Sequence, residues 1–328
     1  MMNVLVVGGA GYIGSHTVRL LNKVGHNVIV LDNLSTGFKA AVPDNELIVG
    51  DMQDRTLVEA ALADHKIDAV IHFAALALVG ESVVAPAKYY QNNVTAMLEL
   101  LEAMRACDVK RIVFSSTCAV YGVPEKIPIT EQTQQVPCNP YGTTKLVVER
   151  ALSDYAEAYG FGFAALRYFN AAGASPEGGI GEDHDPESHL IPIVLQVALG
   201  QRESISIYGD DWPTPDGSCV RDYIHVDDLG DAHLRALERL EFGRGIKVNL
   251  GTGNGYSVRQ IIDACRQVTN HPIPAKVGPR RPGDPAALVA DASQAFGQLG
   301  WEPKYKDSKA IIETAWAWHQ ANPTGYPK

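Results

Sequence analysis

Cysteine is scarce in this 328-residue sequence: Cys107, Cys118, Cys138, Cys219 and Cys265 are scattered, odd in number and never in CxxC spacing. That pattern excludes a disulfide framework and a cysteine-based zinc centre, and it suits free thiols in a reducing compartment, so a cytoplasmic location is expected. No run of lysine and arginine occurs either; 28 basic residues face 38 acidic ones, a net charge of −10. Without clustered basic residues there is no counterion release to exploit, and nucleic acid is excluded as a partner. A single nucleotide is not excluded, because backbone N–H groups and a few arginines can hold its phosphates. Long apolar runs are missing as well. The first, residues 4–7, is cut off by Gly8 and Gly9, too short for a signal core, and nothing later approaches the roughly 18 apolar residues of a membrane span. The length gives a prior of about two domains at roughly 150 residues each.

What is present is a rhythm. Short β-branched runs alternate with helical stretches through the first 115 residues, which predicts a doubly wound α/β fold with a parallel sheet. Strands are expected near residues 4–7, 28–31, 48–49, 69–73, 112–115 and 162–167, with helices over 16–24, 87–107 and 141–159. After Asn170 the rhythm breaks into a loop rich in Gly, Pro and acidic residues over 171–187. Shorter elements follow at 191–198, 204–208 and 247–250, and Ser257 with Gln260 forms a capping-box signal for a helix to residue 268. The expected division is residues 1–170 as a dinucleotide-binding domain and 171–328 as a smaller α/β substrate domain, with the chain returning to the first over about 223–250.

Gly8, Gly11 and Gly14 sit between the first strand and the first helix. Such glycines permit a tight turn, close backbone approach to a pyrophosphate, and close packing of helix on strand. Asp32 closes the second strand 18 residues after Gly14, where a carboxylate accepts from the adenosine ribose hydroxyls and repels a 2′-phosphate. NAD is therefore expected rather than NADP. Asp51, ending the third strand, is either a partner of the adenine amine or a plain turn aspartate.

Tyr141 and Lys145 stand at i and i+4 on one helix face. A free phenol is a poor base at neutral pH, and an ammonium one turn away favours its phenolate. In isolation this spacing is more often a solvated helix face; behind a dinucleotide loop it reads as catalytic. Thr117, just past the fifth strand, either shares the substrate's reacting oxygen with Tyr141 or, like Ser115 and Ser116, satisfies backbone groups at the strand end.

Taken together these residues resemble the extended short-chain dehydrogenase/reductase family over essentially the whole chain. The likeness rests on GGAGYIGSH (8–16), LDNLSTG (31–37), HFAA (72–75), VGES (79–82), YYQNNV (89–94), FSSTCAVYG (114–122), NPYGTTK (139–145), LRYFNAAGA (166–174), RDYIHVDDL (221–229) and RRPGD (280–284). The combination of TCAVYG, RYFN, HLIP and RDYIHV is similar to the family's nucleotide-sugar 4-epimerases. The resemblance implies interconversion of UDP-glucose and UDP-galactose: Tyr141, assisted by Thr117, takes the 4-hydroxyl proton while NAD accepts hydride from C4. The 4-keto sugar then turns and takes the hydride back on its other face. It further implies that Tyr12, Ile13, Asp32, Asn33, Leu34, Ser35, Thr36, Gly37, Asp51, Met52, Phe73, Ala74, Asn92, Lys145 and Phe169 line the cofactor. Asn170, His189, Tyr208, Arg221, Arg281 and Asp284 would hold the UDP-sugar, although each arginine could be a surface ion-pair residue and His189 a plain loop histidine. A homodimer through the helices at 87–107 and 141–159 is implied too.

Three positions depart from the family's pattern. Val7 replaces a common threonine, Ala77 removes a lysine found near the cofactor in some epimerases, and Leu288 is intermediate between the bulky residue associated with plain hexoses and the small one associated with N-acetylated sugars. UDP-N-acetylhexosamine epimerisation thus stays open. A 4,6-dehydratase is the nearest rival, but Cys118-Ala119 stands where that chemistry needs an Asp-Glu pair. A catalytically dead NAD sensor is disfavoured by the joint presence of Tyr141, Lys145 and Thr117. No metal site is expected; residues 182–185 read as a solvated acidic loop.

Overall fold

The computed structural model describes residues 1–281 and 283–327; Pro282 of the RRPGD stretch and Lys328 lie outside the described residues. Seven strands, β1 (Asn3–Val7), β2 (Asn27–Asp32), β3 (Glu46–Val49), β4 (Ala69–His72), β5 (Arg111–Ser115), β6 (Gly162–Tyr168) and β10 (Gly245–Leu250), form one sheet. Their order is β10-β6-β5-β4-β1-β2-β3 and every pairing is parallel. Strand order reverses direction at β1, between β4 and β2, and the crevice that opens there is where doubly wound sheets take their ligands.

Both faces of the sheet are buried, which is why its strands are apolar runs rather than alternating ones. Val4 and Val6 of β1 pack on one side, with Val18 and Leu21 of α1 (Tyr12–Lys23), Leu229 and Ala232 of α8 (Val226–Glu238) and Leu299 of α10 (Ser293–Leu299). Leu5 and Val7 pack on the other, against Val58 and Leu62 of α2 (Arg55–Asp64), Leu100 and Met104 of α5 (Ala96–Ala106) and Val148 and Leu152 of α6 (Pro140–Tyr159). The Rossmann-type architecture expected from the rhythm is present.

Two helices differ from the sequence expectation. The first begins at Tyr12 rather than residue 16, directly out of the glycine turn and without a side-chain cap. The single helix expected over 87–107 is instead three pieces: α4 (Pro86–Tyr90), one π-turn (Gln91–Thr95) and α5, preceded by α3 (Val79–Val84). The π-turn is pinned to α6 by Asn93, whose amide donates to Thr144 Oγ1 at 3.2 Å, and such turns recur where a helix must present side chains to a site.

After β6 comes β7 (Asn170–Ala172), which pairs with β9 (Val220–His225); β9 also pairs with β11 (Gly255–Ser257) and β13 (Ala287–Leu288). A small parallel pair, β8 (Ile205–Tyr208) with β12 (Ala275–Gly278), lies apart. Around them α7 (Leu190–Ala198), α9 (Val258–Thr269) and α11 (Ser308–Ala321) build a separate apolar core through Ile191, Leu195, Ile261, Ile262 and Ile312. The capping box at the start of α9 is formed by Ser257 and Gln260 in both directions.

Trp301 ties the chain after α10 back onto the large sheet: it is 1% exposed and its indole N–H donates to the Asp228 carbonyl at 3.0 Å. Asp228 answers with its carboxylate, accepting from the backbone N–H groups of Lys304 and Tyr305. Trp301→Ala is expected to lower unfolding free energy by about 3–5 kcal/mol, read from urea unfolding at constant m-value.

Candidate active site

The cleft at the carboxyl edge of the sheet encloses about 800 Å³. Its floor is the glycine turn. A Cβ on Gly14 would lie 2.2 Å from the Gly8 carbonyl oxygen, and one on Gly8 would lie 2.5 Å from the backbone nitrogen of Ala74. Gly8 has φ +78°, which glycine adopts without strain. Gly11 caps the helix in extended geometry, and a Cβ there would meet only the Gly8 oxygen, at an ordinary 3.4 Å. The first turn of α1 therefore rests on the end of β1 with its amide groups at Tyr12 and Ile13 lacking intrahelical partners, a ready anion site. Gly8, Gly11, Tyr12, Ile13 and Gly14 all line the cleft. This cradle, which has no room for a side chain at Gly8 or Gly14, fits a dinucleotide pyrophosphate.

Asp32 lies at the end of β2, 8% exposed. Its two oxygens accept from the amides of Ala10 at 2.9 Å and Leu34 at 2.8 Å. Burial pushes its carboxyl up and the two amides pull it back; each oxygen has further acceptor capacity, and the residue lines the cleft. Asn33 donates to Asp51 at 3.0 Å, and Asn33, Ser35, Thr36, Asp51 and Met52 edge the same end. Phe73, Ala74, Ala77 and Asn92 line the neighbouring wall.

Leu34 and Gly37 are not among the residues lining the cleft. Leu34 has φ +56° and packs its side chain against the core; a Cβ on Gly37 would sit 3.0 Å from both Asp32 carboxylate oxygens.

Thr117, Tyr141 and Lys145 meet on the opposite side of the crevice, with Phe169 beside them. Thr117 Oγ1 accepts from the Ala119 amide at 3.2 Å, capping a 3₁₀ turn at Cys118–Tyr121. Burial pushes the Tyr141 phenol well above its ordinary range, and a hydrogen bond with the Thr117 side chain pulls it partly back. Lys145 is 3% exposed, and burial lowers its ammonium to about 7, opposed by the Glu149 carboxylate. Its Nζ donates to the Ser115 carbonyl at 2.8 Å rather than to the phenol. The hydroxyl of Thr117 thus serves the strand end and also lies within hydrogen-bond reach of the Tyr141 side chain.

The far end of the cleft comes from the second core. Asn170 donates to the Asp222 carbonyl at 3.0 Å. Asp284 stands between two guanidiniums, 3.0 Å from Arg281 Nε and 3.9 Å from the nearest nitrogen of Arg221, and β13 sets Leu288 opposite Arg221 in register. Asn170, Arg221, Arg281, Asp284 and Leu288 line the cleft, as does His189. Tyr208 does not; it is 44% exposed and lies under the Arg281 guanidinium at 4.8 Å.

The acidic loop is less solvated than its composition implies. Glu182 is 3% exposed and bonds His189 Nδ1, with His184 Nδ1 at 3.3 Å. The carboxylate raises both histidines against the opposing effect of burial, His184 to about 10. Glu182, His184, Glu187 and His189 bring four ligating atoms within 4.8 Å. His184, Cys138 and Asn139 also line the cleft without having been expected as site residues; Asn139 opens the quoted NPYGTTK stretch, Cys138 precedes it, and His184 sits in the loop read as solvated and acidic.

A profile of the NAD dependent epimerase/dehydratase family matches residues 4–251. The chain belongs to that family. A relative from Halalkalibacterium halodurans described as UDP-glucose 4-epimerase is 56% identical over 326 residues, covering 99% of this chain and 98% of its own. The solved UDP-glucose 4-epimerase from Brucella ovis in complex with NAD superposes with TM-score 0.93 at 49% identity, covering 97% and 98%. The Bifidobacterium longum enzyme of that name, in complex with NAD+ and UDP, superposes with TM-score 0.94 at 41% identity, covering 99% and 100%.

If Asp32 holds the ribose, Asp32→Asn weakens NAD binding by about 1.5–3 kcal/mol and narrows the gap between NAD and NADP, measured by fluorescence titration of cofactor-stripped protein. Unchanged affinity and selectivity would remove Asp32 from that role.

Proposed function

We propose that this chain interconverts UDP-glucose and UDP-galactose by oxidising and re-reducing sugar C4 within one cleft. The observation that carries the reading is the Thr117–Tyr141–Lys145 group facing a glycine cradle that fits NAD. Bound NAD supplies the acceptor and later donor of hydride at C4, and a positive ring that favours a nearby phenolate. Tyr141 takes the proton of the 4-hydroxyl and returns it after the sugar has turned; Thr117 holds the same oxygen and keeps Tyr141 aligned. Lys145, as ammonium, stabilises the phenolate. Arg221 and Arg281 bind the diphosphate oxygens, with Asn170 and His189 beside them, and Asp284 holds the two guanidiniums in place between substrates. In this scheme residues 171–328 supply the sugar-nucleotide half of the site and residues 1–170 the cofactor half, with the return of the chain near 223–250 joining them.

The reaction stops at C4 because the residue after Thr117 cannot serve as an acid or base for dehydration. Cys118 is buried, and burial pushes its thiol up to about 12. The cytoplasm is the proposed location. The proposed homodimer forms through the segment around α4 and α5, where Val83, Val84, Tyr90 and Leu98 expose apolar surface, together with α6. Light scattering should give twice 35.4 kDa, and Leu98→Arg should shift it toward the single-chain mass; a wild-type monomer refutes the dimer.

Purified protein given UDP-galactose and no added cofactor should form UDP-glucose. No turnover with or without NAD contradicts the reading, and a 4-keto-6-deoxy product reassigns it to dehydration. Tyr141→Phe should lower kcat by about 10²–10⁴-fold with little change in KM; near-normal kcat removes Tyr141 from the mechanism.

A further inference from the structure

The reaction scheme leaves one buried ion pair unused, and it lies directly beneath the catalytic lysine. Glu149 of α6 and Arg167 of β6 are each 1% exposed. We propose that Glu149 is a positioning residue for the C4 chemistry, holding the end of β5 so that Thr117 and Lys145 stand where the reaction uses them; this rests on the functional reading above.

The geometry is a double grip. Lys145 Nζ donates to the Ser115 carbonyl at 2.8 Å. One turn further along the same helix, Glu149 Oε1 accepts from the Ser116 hydroxyl at 2.5 Å. Arg167 closes on the same carboxylate from the neighbouring strand, Nε to Oε1 at 2.9 Å and a terminal nitrogen to Oε2 at 2.5 Å. The Ser116 amide donates to the Leu166 carbonyl at 2.9 Å. Two consecutive residues are therefore fixed from both sides, and the next residue is Thr117. The brace extends further: Arg167 donates to the Tyr121 hydroxyl at 2.8 Å, and that hydroxyl donates to Asn249 of β10 at 2.7 Å.

Stability alone does not call for this arrangement, since a buried ion pair is often no better than apolar residues of the same volume. A fixed geometry next to the reacting groups does call for it. The carboxylate also has an electrostatic role. Tyr141 and Glu149 share a helix with Lys145, His72 at the end of β4 feels its charge, and the Phe114 ring on β5 lies 4.8 Å from its Nζ; Arg167 on β6 pairs with Glu149, and Cys118 and Tyr168 adjoin Tyr141. Only Glu149 in that set is a carboxylate, and it opposes the loss of the ammonium caused by burial.

Glu149→Gln keeps the length and an acceptor for Ser116 but removes the charge. Its kcat should fall about tenfold or more while KM for UDP-galactose stays within about twofold. The alkaline limb of kcat should move to lower pH, because Lys145 loses its proton sooner without the carboxylate. A role in folding alone would lower the amount of folded enzyme and leave that limb in place. Because Gln strands the Arg167 charge in the core and can prevent folding, Glu149→Met/Arg167→Met removes both charges and should move the limb in the same direction by a smaller amount, with kcat lowered as in Glu149→Gln. Ser116→Ala leaves the ion pair intact and should lower kcat about threefold to tenfold at unchanged KM. Wild-type kcat and pH profile in either folded charge variant, or wild-type kcat in Ser116→Ala, overturns the proposal. Absence of epimerase turnover in the wild-type protein would instead sink the functional reading itself.

Discussion

The contact between Gly14 and the Gly8 carbonyl, too close for any side chain, sets where α1 begins and therefore where its unpaired amides point. The same turn admits Ala74 from the end of β4 against Gly8, so the crevice between β1 and β4 stays narrow at its floor. Asp32 is fixed from this turn as well, since the Ala10 amide holds one of its oxygens. Cradle, Asp32 and crevice wall thus follow from one close approach of backbone to backbone. A Cβ at either glycine would displace all three.

The opposite wall depends on α6. Asn139 caps it by accepting from the Gly142 amide at 2.8 Å, which orients the first turn and so Tyr141. The helix then runs under the end of β5, and its next two turns deliver Lys145 and Glu149 to adjacent residues of that strand. The chain's net charge of −10 has little bearing here. Anions entering the cleft meet a helix N-terminus, one buried lysine and two arginines, so the site's potential is set locally and not by the acidic surface.

The sheet was legible because its strands are buried on both faces and therefore appear as unbroken β-branched runs. The cofactor half of the site was legible because glycine spacing and a strand-ending aspartate are direct consequences of backbone approach. Helix starts were less so: α1 opens from Gly11 with no capping side chain, so nothing local marks Tyr12. The π-turn at Asn92 and Asn93 was hidden because it is imposed by Asn93 reaching Thr144 on a distant helix. Leu34, Gly37 and Tyr208 sit in stretches that resemble cofactor or substrate loops, yet they lie outside the cleft lining, Leu34 against the core and Tyr208 under Arg281. Glu149 was unreadable, since a glutamate four residues after a lysine is ordinary helix surface until β6 places Arg167 against it.

In the proposed reaction one hydrogen leaves C4 and returns to it within a single cleft. UDP-galactose carrying deuterium at C4 tests that directly in ordinary water. The UDP-glucose formed should retain the label at C4 in full, with no label appearing in solvent. Loss of the label to solvent, or its appearance elsewhere on the sugar, would contradict that reaction.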